Sequence, residues 1–179
     1  MPRLYAFLRA INVGGHTVTM DRLRRLFEEL GLDDVETFIA SGNVIFSSRV
    51  KSTASLEKKI EAHLERSLGY EVKTFIRTAP ELIALAAYKA FPDAATRAAG
   101  AFCVGFLAQP LDAAGKKALD GLKSDVDAFH LNGREVYWLC KVRQHESKFS
   151  NMVFEKTTRA RVTFRGGSTV AKLAAKAKA

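Results

Sequence analysis

Ala101-Phe102-Cys103-Val104-Gly105-Phe106-Leu107 is an apolar run of strand length, and Leu4-Tyr5-Ala6-Phe7-Leu8 is another. The same series of elements follows each run, and that repetition sets the fold. After the first run comes the loop Asn12-Val13-Gly14-Gly15-His16, and then Thr19 as the cap of a helix. In that helix Leu23, Leu26, Phe27 and Leu30 recur at the spacing of one buried face, and Gly31 stands where a residue of positive φ ends a helix. Residues 35–39 and 44–46 read as strands around the turn Ser41-Gly42-Asn43. A second helix carries Leu56, Ile60, Leu64 and Leu68 on one stripe and stops at Gly69. Val72-Lys73-Thr74-Phe75-Ile76 then alternates as a half-exposed fourth strand should.

The second run opens a matching series. Asp112 caps a helix with Leu119 and Leu122 inward, and strands over 126–131 and 135–140 flank Asn132-Gly133, a strong two-residue hairpin signal. A helix over 147–156 is expected to bury Phe149, Val153 and Met152, Arg161-Val162-Thr163-Phe164 closes the series, and Ser168 caps a short final helix containing Val170 and Leu173. Between the copies, Thr78-Ala79-Pro80-Glu81 has the form of a capping box with proline in the first turn. That helix runs through Leu82, Leu85 and Ala86 and stops before Pro92, leaving the alanine-rich stretch 93–100 as a linker. The sequence therefore predicts an α+β fold of two tandem ferredoxin-like α/β plaits, βαββαβ repeated. The first subdomain spans 1–78, a connecting helix and linker 79–100, and the second subdomain, with a basic C-terminal helix, 101–179.

A chain of 179 residues is long enough for two small cores. With 47% hydrophobic and 26% charged residues it has globular rather than disordered composition. No apolar run approaches the roughly 20 residues of a membrane span. Met1-Pro2-Arg3 leads straight into a strand without a signal-peptide core, so no membrane and a cytoplasmic, bacterial-style protein are expected. Cys103 and Cys140 fall on adjacent strands; a redox pair is conceivable, and two reduced core thiols are the plainer reading.

The net charge of +9 is uneven. Residues 134–179 hold 11 of the 28 Lys and Arg but only 3 of the 19 Asp and Glu. Such a balance attracts a small anionic ligand or a nucleic-acid backbone through Coulomb steering and counterion release. The competing reading is a solvated face, since Lys172, Lys176 and Lys178 sit on an alanine-rich terminal segment. Tyr5, Phe7, Phe102, Phe106, Tyr137 and Trp138 lie on the expected central strands, where some RNA-binding plaits stack bases. Their apolar neighbours, and the lack of a glycine-rich basic motif, favour core.

The loop Ile11-Asn12-Val13-Gly14-Gly15-His16, with Arg9 before it, could offer backbone N–H groups to an anion. It has neither the third glycine of a dinucleotide fingerprint nor the Lys-Ser/Thr ending of a P-loop, and a tight turn needing positive φ is the simpler account. His130 and His145 have no cysteine or carboxylate spacing of a metal site. No nucleophile–base arrangement stands out. Catalytic residues stay unassigned, and no cofactor and no metal are expected.

The stretch 5–15 (Tyr5-Ala6-Phe7-Leu8-Arg9-Ala10-Ile11-Asn12-Val13-Gly14-Gly15) resembles the start of the bacterial family known as domain of unknown function 1697. Met20, Leu23-Arg24, Glu28-Glu29-Leu30-Gly31 and the hairpin Phe38-Ile39-Ala40-Ser41-Gly42-Asn43-Val44-Ile45-Phe46 are similar to the same family, with weaker likeness at Val136-Tyr137-Trp138-Leu139 and Ser147-Lys148-Phe149-Ser150-Asn151. The resemblance covers nearly the whole chain and implies two α/β-plait subdomains and no established activity. Family members end in a Thr-x-Arg-Asn-Trp-Asn-Thr-Val-x-Lys-Leu type of motif; here Thr163, Arg165, Thr169, Val170, Lys172 and Leu173 fit, but Gly166-Gly167-Ser168 replace Asn-Trp-Asn. The residues expected to bind a ligand are Arg9, Asn12, Gly14, Gly15, Ser41, Asn43, Lys148, Arg165 and Lys172. The leading functional expectation is a non-enzymatic protein that binds an anionic ligand or nucleic-acid backbone through its basic C-terminal half. The alternatives are an enzyme acting on a small phosphorylated or carboxylated substrate in a cleft between the subdomains, or a homo-oligomeric assembly module built on exposed strand edges.

Overall fold

The structure, a computed structural model, describes residues 1–39 and 42–179. Ser41, expected in the hairpin turn, lies outside the described residues. The chain divides into one unit of Met1–Ile83 with Ala177–Ala179 and another of Ala84–Lys176. It is a mixed α+β protein with two four-stranded antiparallel sheets and, among the described residues, seven α-helices.

In the first unit, β1 (Arg3–Leu8), α1 (Met20–Glu28), β2 (Asp33–Thr37), β3 (Asn43–Ser47), α2 (Thr53–Leu68) and β4 (Thr74–Thr78) form a sheet of order β2-β3-β1-β4. Both helices start at side-chain caps. Thr19 Oγ1 accepts from Arg22 N–H at 3.1 Å, and Ser52 Oγ accepts from Ser55 N–H at 3.1 Å. Gly69 closes α2 at φ 83°, where a side chain would be strained. Leu23, Phe27, Ile60 and Leu64 pack on Leu4, Ala6, Leu8, Val44 and Phe46 of the sheet. Tyr5, Phe7, Ile45 and Phe75 on the opposite face are buried as well.

Two strands differ from the sequence pattern. β2 begins at Asp33 and shifts register between Asp33 and Glu36, leaving Ile39 outside it, exposed and at φ 57°. β4 starts two residues later than the alternation placed it and is not half-exposed, since Thr74, Phe75, Ile76 and Arg77 are all buried. The cause is tertiary. Glu57 and Glu61, one turn apart on α2, accept from the N–H groups of Ile76 at 2.8 Å and Thr74 at 2.9 Å. Carboxylates thereby satisfy backbone donors on this strand that sheet pairing leaves over.

The helix α3 (Ala79–Ala87) follows β4 without an intervening residue. Its capping box is reciprocal: Thr78 N–H donates to Glu81 Oε2 at 2.8 Å, and Glu81 N–H donates to Thr78 Oγ1 at 3.3 Å. The expected linker 93–100 is itself mostly helix, α4 (Asp93–Ala98).

The second unit continues with β5 (Ala101–Phe106), α5 (Ala113–Asp120), β6 (Asp127–Asn132), β7 (Glu135–Cys140), a 3-10 turn (Gln144–Glu146), α6 (Asn151–Thr158), β8 (Thr163–Gly166) and α7 (Gly167–Lys178). The sheet order, β6-β7-β5-β8, repeats that of the first unit. Asn132 pairs with Glu135, so the hairpin loop is Gly133-Arg134, one residue beyond the Asn132-Gly133 expectation, with φ 59° on the glycine. α6 begins four residues later than predicted because Ser150, not Ser147, is its cap, accepting from Val153 N–H at 3.2 Å. Ser147 instead turns the chain locally through Phe149 N–H at 3.0 Å. Met152, expected in the core, is 76% exposed as a result. Ser168 lies inside the first turn of α7, which starts directly after β8, and the helix is 12 residues long rather than short.

Trp138, Phe129, Phe149, Phe154 and Phe164 fill the core on one side of this sheet, with the Phe149 ring 4.8 Å from Trp138 and 4.6 Å from Phe129. On the other side the Tyr137 hydroxyl donates to Leu85 O at 2.7 Å and its ring meets Tyr88 at 5.4 Å. Tyr5, Phe7, Phe106, Tyr137 and Trp138 are buried and Phe102 is half-buried, so none of these strand aromatics is a free platform for a base. Among the described residues no helix is long and apolar enough to cross a membrane.

Candidate functional site

The loop between β1 and α1 is built on backbone conformations that L-residues seldom adopt. Ala10 (φ 69°), Asn12 (φ 57°), Gly14 (φ 61°) and Gly15 (φ 84°) all lie in the left-handed region. Val13 and His16 bridge, and His16 N–H donates to Val13 O at 3.1 Å, so Gly14 and Gly15 are the centre of a tight turn. Asn12 Oδ1 accepts from Val18 N–H at 2.9 Å and ties the loop to the approach of α1. The His16 ring stacks on Tyr70 at 4.0 Å.

Gly42 packs against the start of this loop. Gly42 O accepts from Leu8 N–H at 2.8 Å, and a Cβ on Gly42 would stand 3.1 Å from Ile11 Cβ, so the close approach needs glycine. Arg9 N–H donates to Lys73 O at 2.9 Å. Asn43 is buried, and its Nδ2 donates to Phe38 O at 2.9 Å. Arg9, Asn12, Gly14, Gly15 and Asn43 therefore gather at one end of the first unit. The visible hydrogen bonds of Asn12 and Asn43 shape these turns.

Lys148, Arg165 and Lys172 belong to the second unit and differ among themselves. Lys148 and Lys172 are exposed. Arg165 is 93% buried, consistent with its 7% exposure, and its Nη1 donates to Thr163 Oγ1 at 2.7 Å and Phe164 O at 3.0 Å. Burial pushes its pKa down to about 10. A guanidinium held this way is largely withdrawn from solvent.

The exposed cations of the second unit are more numerous than the sequence candidates. Lys141, Arg143, Lys148, Lys156, Arg159 and Lys172 are all exposed, and none makes an ion pair among the described residues. In the first unit Arg24 pairs with Asp21 and Glu28, and Arg25 with Asp21, while Arg49, Lys51, Lys58, Lys59 and Arg66 are exposed without an ion pair among the described residues. The signal for the four missed cations was present in the skewed balance of residues 134–179, but the balance does not say which side chains lack partners.

Sequence reasoning also missed Asp127. This residue is buried at the start of β6, and its Oδ1 accepts from Trp138 Nε1 at 2.8 Å while its Oδ2 accepts from Ser147 Oγ at 2.7 Å. Cys140 pairs with Asp127 across the sheet; burial raises its pKa, and the carboxylate adds to the rise. Cys103, opposite Trp138, is pushed up to about 11, burial being the larger cause and Cys140 the smaller. Both thiols are free and buried.

Over residues 1–137 the chain matches the model of the family described as Protein of unknown function (DUF1697). It belongs to that family. The DUF1697 match ends before β8 and α7, so Gly166-Gly167-Ser168 and all six of these cations lie beyond it. The chain is also similar to the solved structure of conserved bacterial protein SP0830 from Streptococcus pneumoniae, at TM-score 0.75 and 24% identity, over 100% of this chain and 99% of that one. That likeness shows a shared fold. None of the curated proteins matches the chain.

Proposed function

We propose that this DUF1697 protein is a non-enzymatic, cytoplasmic binding protein that engages the phosphate backbone of a nucleic acid through its second unit. The repeated sheet order supports reading each unit as a ferredoxin-like plait, with repeats at 1–78 and 101–179. The observation that carries the functional reading is the set of six exposed cations without an ion pair within residues 134–179, a stretch with only 3 Asp and Glu. They stand after β7, before α6, on α6 and its cap, and on α7. Cations distributed over several elements suit an extended polyanion better than a compact one. Because the strand aromatics are buried or half-buried, contact is with phosphates rather than by base stacking, and it is independent of sequence.

Fluorescence anisotropy with labelled single- and double-stranded DNA and RNA tests this. Six phosphate contacts on duplex DNA give a slope of about −5 in log affinity against log salt, and an affinity loss of about a thousandfold between about 50 and 200 mM salt. The triple variant Lys156→Glu, Arg159→Glu, Lys172→Glu should abolish binding while keeping its circular dichroism. Failure to bind at about 50 mM salt, or a triple variant that binds as the parent does, refutes the proposal.

A further inference from the structure

We propose that the second unit also holds a separate pocket for a small organic cation with an apolar body. A cavity of about 420 Å³ lies between the α5–β6 connection, the segment Glu146 to Phe149, and Val153 of α6. That volume falls in the range of small-molecule sites, roughly 300–1,000 Å³. Leu122, Phe149 and Val153 supply apolar wall. Phe149 is buried and locked by its contacts with Trp138 and Phe129, so that part of the wall is preformed.

Polarity identifies the occupant. Asp125, Asp127 and Glu146 line the cavity against a single ammonium, Lys148, in a chain whose overall charge is +9. The pocket thus has the opposite sign to the net charge of the chain. Asp127 is held in place by Trp138 and Ser147. Asp125 is exposed and makes no ion pair among the described residues, and Glu146 Oε1 stands 4.0 Å from His145 Nε2. Two carboxylates are therefore left to receive a charge at the mouth. A bare metal ion does not fit, because among the described residues no group of His, Cys, Asp and Glu converges as a metal's ligands must. Carboxylates spread around an apolar hollow suit an alkylammonium whose body fills the hollow.

The site shares only Lys148 with the polyanion reading. The probe is 2-phenylethylammonium, titrated into the full chain and followed by Trp138 fluorescence and calorimetry. Two controls accompany it: 3-phenylpropionate, with a similar body and the opposite charge, and ethylammonium, with the charge and no body. Saturable binding of the amine is expected, with both controls at least about tenfold weaker. Asp125→Asn with Glu146→Gln should weaken it about fivefold, the scale of exposed charge interactions. Val153→Trp, which fills the cavity, should weaken it about tenfold or more. If that variant does not fold, Lys148→Glu at the exposed rim provides the second test and should tighten the amine about twofold or more. Absence of saturable amine binding, equal affinity for phenylpropionate, or unchanged affinity in a folded Val153→Trp or Lys148→Glu variant overturns the proposal.

Discussion

Replacing Asp127 tests the buried network of the second unit by a graded pair of substitutions. Asp127 is 5% exposed and accepts an indole N–H at 2.8 Å and a hydroxyl at 2.7 Å, with the Ser124 hydroxyl at a marginal 3.4 Å. Asp127→Ala removes the acceptor and leaves the buried Trp138 indole N–H and the half-buried Ser147 hydroxyl without it, at a cost of about 1–3 kcal/mol for the first and about 1 kcal/mol for the second. Ser147 Oγ also accepts from Phe149 N–H, so its free rotation to a new partner is limited. The sum is about 2–4 kcal/mol, a large part of the roughly 5–15 kcal/mol that holds a typical domain together. Asp127→Asn keeps a carbonyl for the indole and loses only the charge-assisted share, about 1–2 kcal/mol. Urea unfolding read by tryptophan emission measures both, because Trp138 is the single tryptophan and reports from the network itself. An Asp127→Ala cost below about 1 kcal/mol, or equal to that of Asp127→Asn, would falsify the account.

Three other outcomes are expected. Cys103 is raised from 9.0 to about 11, so the unfolded chain releases a proton that the folded chain keeps. The associated stability, present below pH 9.0, is lost as pH rises to about 11, and amounts to about 2–3 kcal/mol; urea midpoints should fall less steeply over that window in Cys103→Ala, and an equally steep fall rejects the assignment. Gly105→Ala would place a Cβ 2.6 Å from both Phe164 Cε1 and Val136 Cγ1; overpacking of about 1–3 kcal/mol should appear in its denaturant midpoint, and a neutral result would mean the strand relaxes freely. Glu57→Ala with Glu61→Ala strips two acceptors from the β4 backbone; it should destabilise by about 1–3 kcal/mol per donor and raise light scattering with concentration, and unchanged values for both would show that other acceptors replace them.

Locally encoded features were legible in the sequence. The Thr78-to-Glu81 box, the Thr19 and Asp112 caps and the glycine turns are contained within a few residues, and each has its hydrogen bond or positive φ in the structure. The fourth strand begins at Thr74 rather than Val72 and is buried rather than half-exposed, because contacts far apart in sequence, such as those of Glu57 and Glu61, cover it. The start of α6 was misjudged because Ser147 and Ser150 are equally good caps by type, and only the Ser147 contact with Asp127 tells them apart. The candidate site was readable as an excess of charge but not as positions. Burial removed Arg165 from it, and the absence of ion-pair partners added Lys141, Arg143, Lys156 and Arg159.

Each unit contains a joint at which a strand passes into a helix with no residue between, at Thr78 and Ala79 and again at Gly166 and Gly167. A residue inserted at either joint would rotate the following helix by about 100° and push it about 1.5 Å along its axis. For α7 that rotation would swing Val170 and Leu173 out of the interior and drive lysines toward it. The exposed Gly14-Gly15 turn has open space around both glycines and could lengthen without such a penalty. Length variation in this architecture should therefore be absorbed at the Gly14-Gly15 turn and barred at the two joints. For the same reason, a peptide tag or reporter placed at that turn should leave both sheets intact.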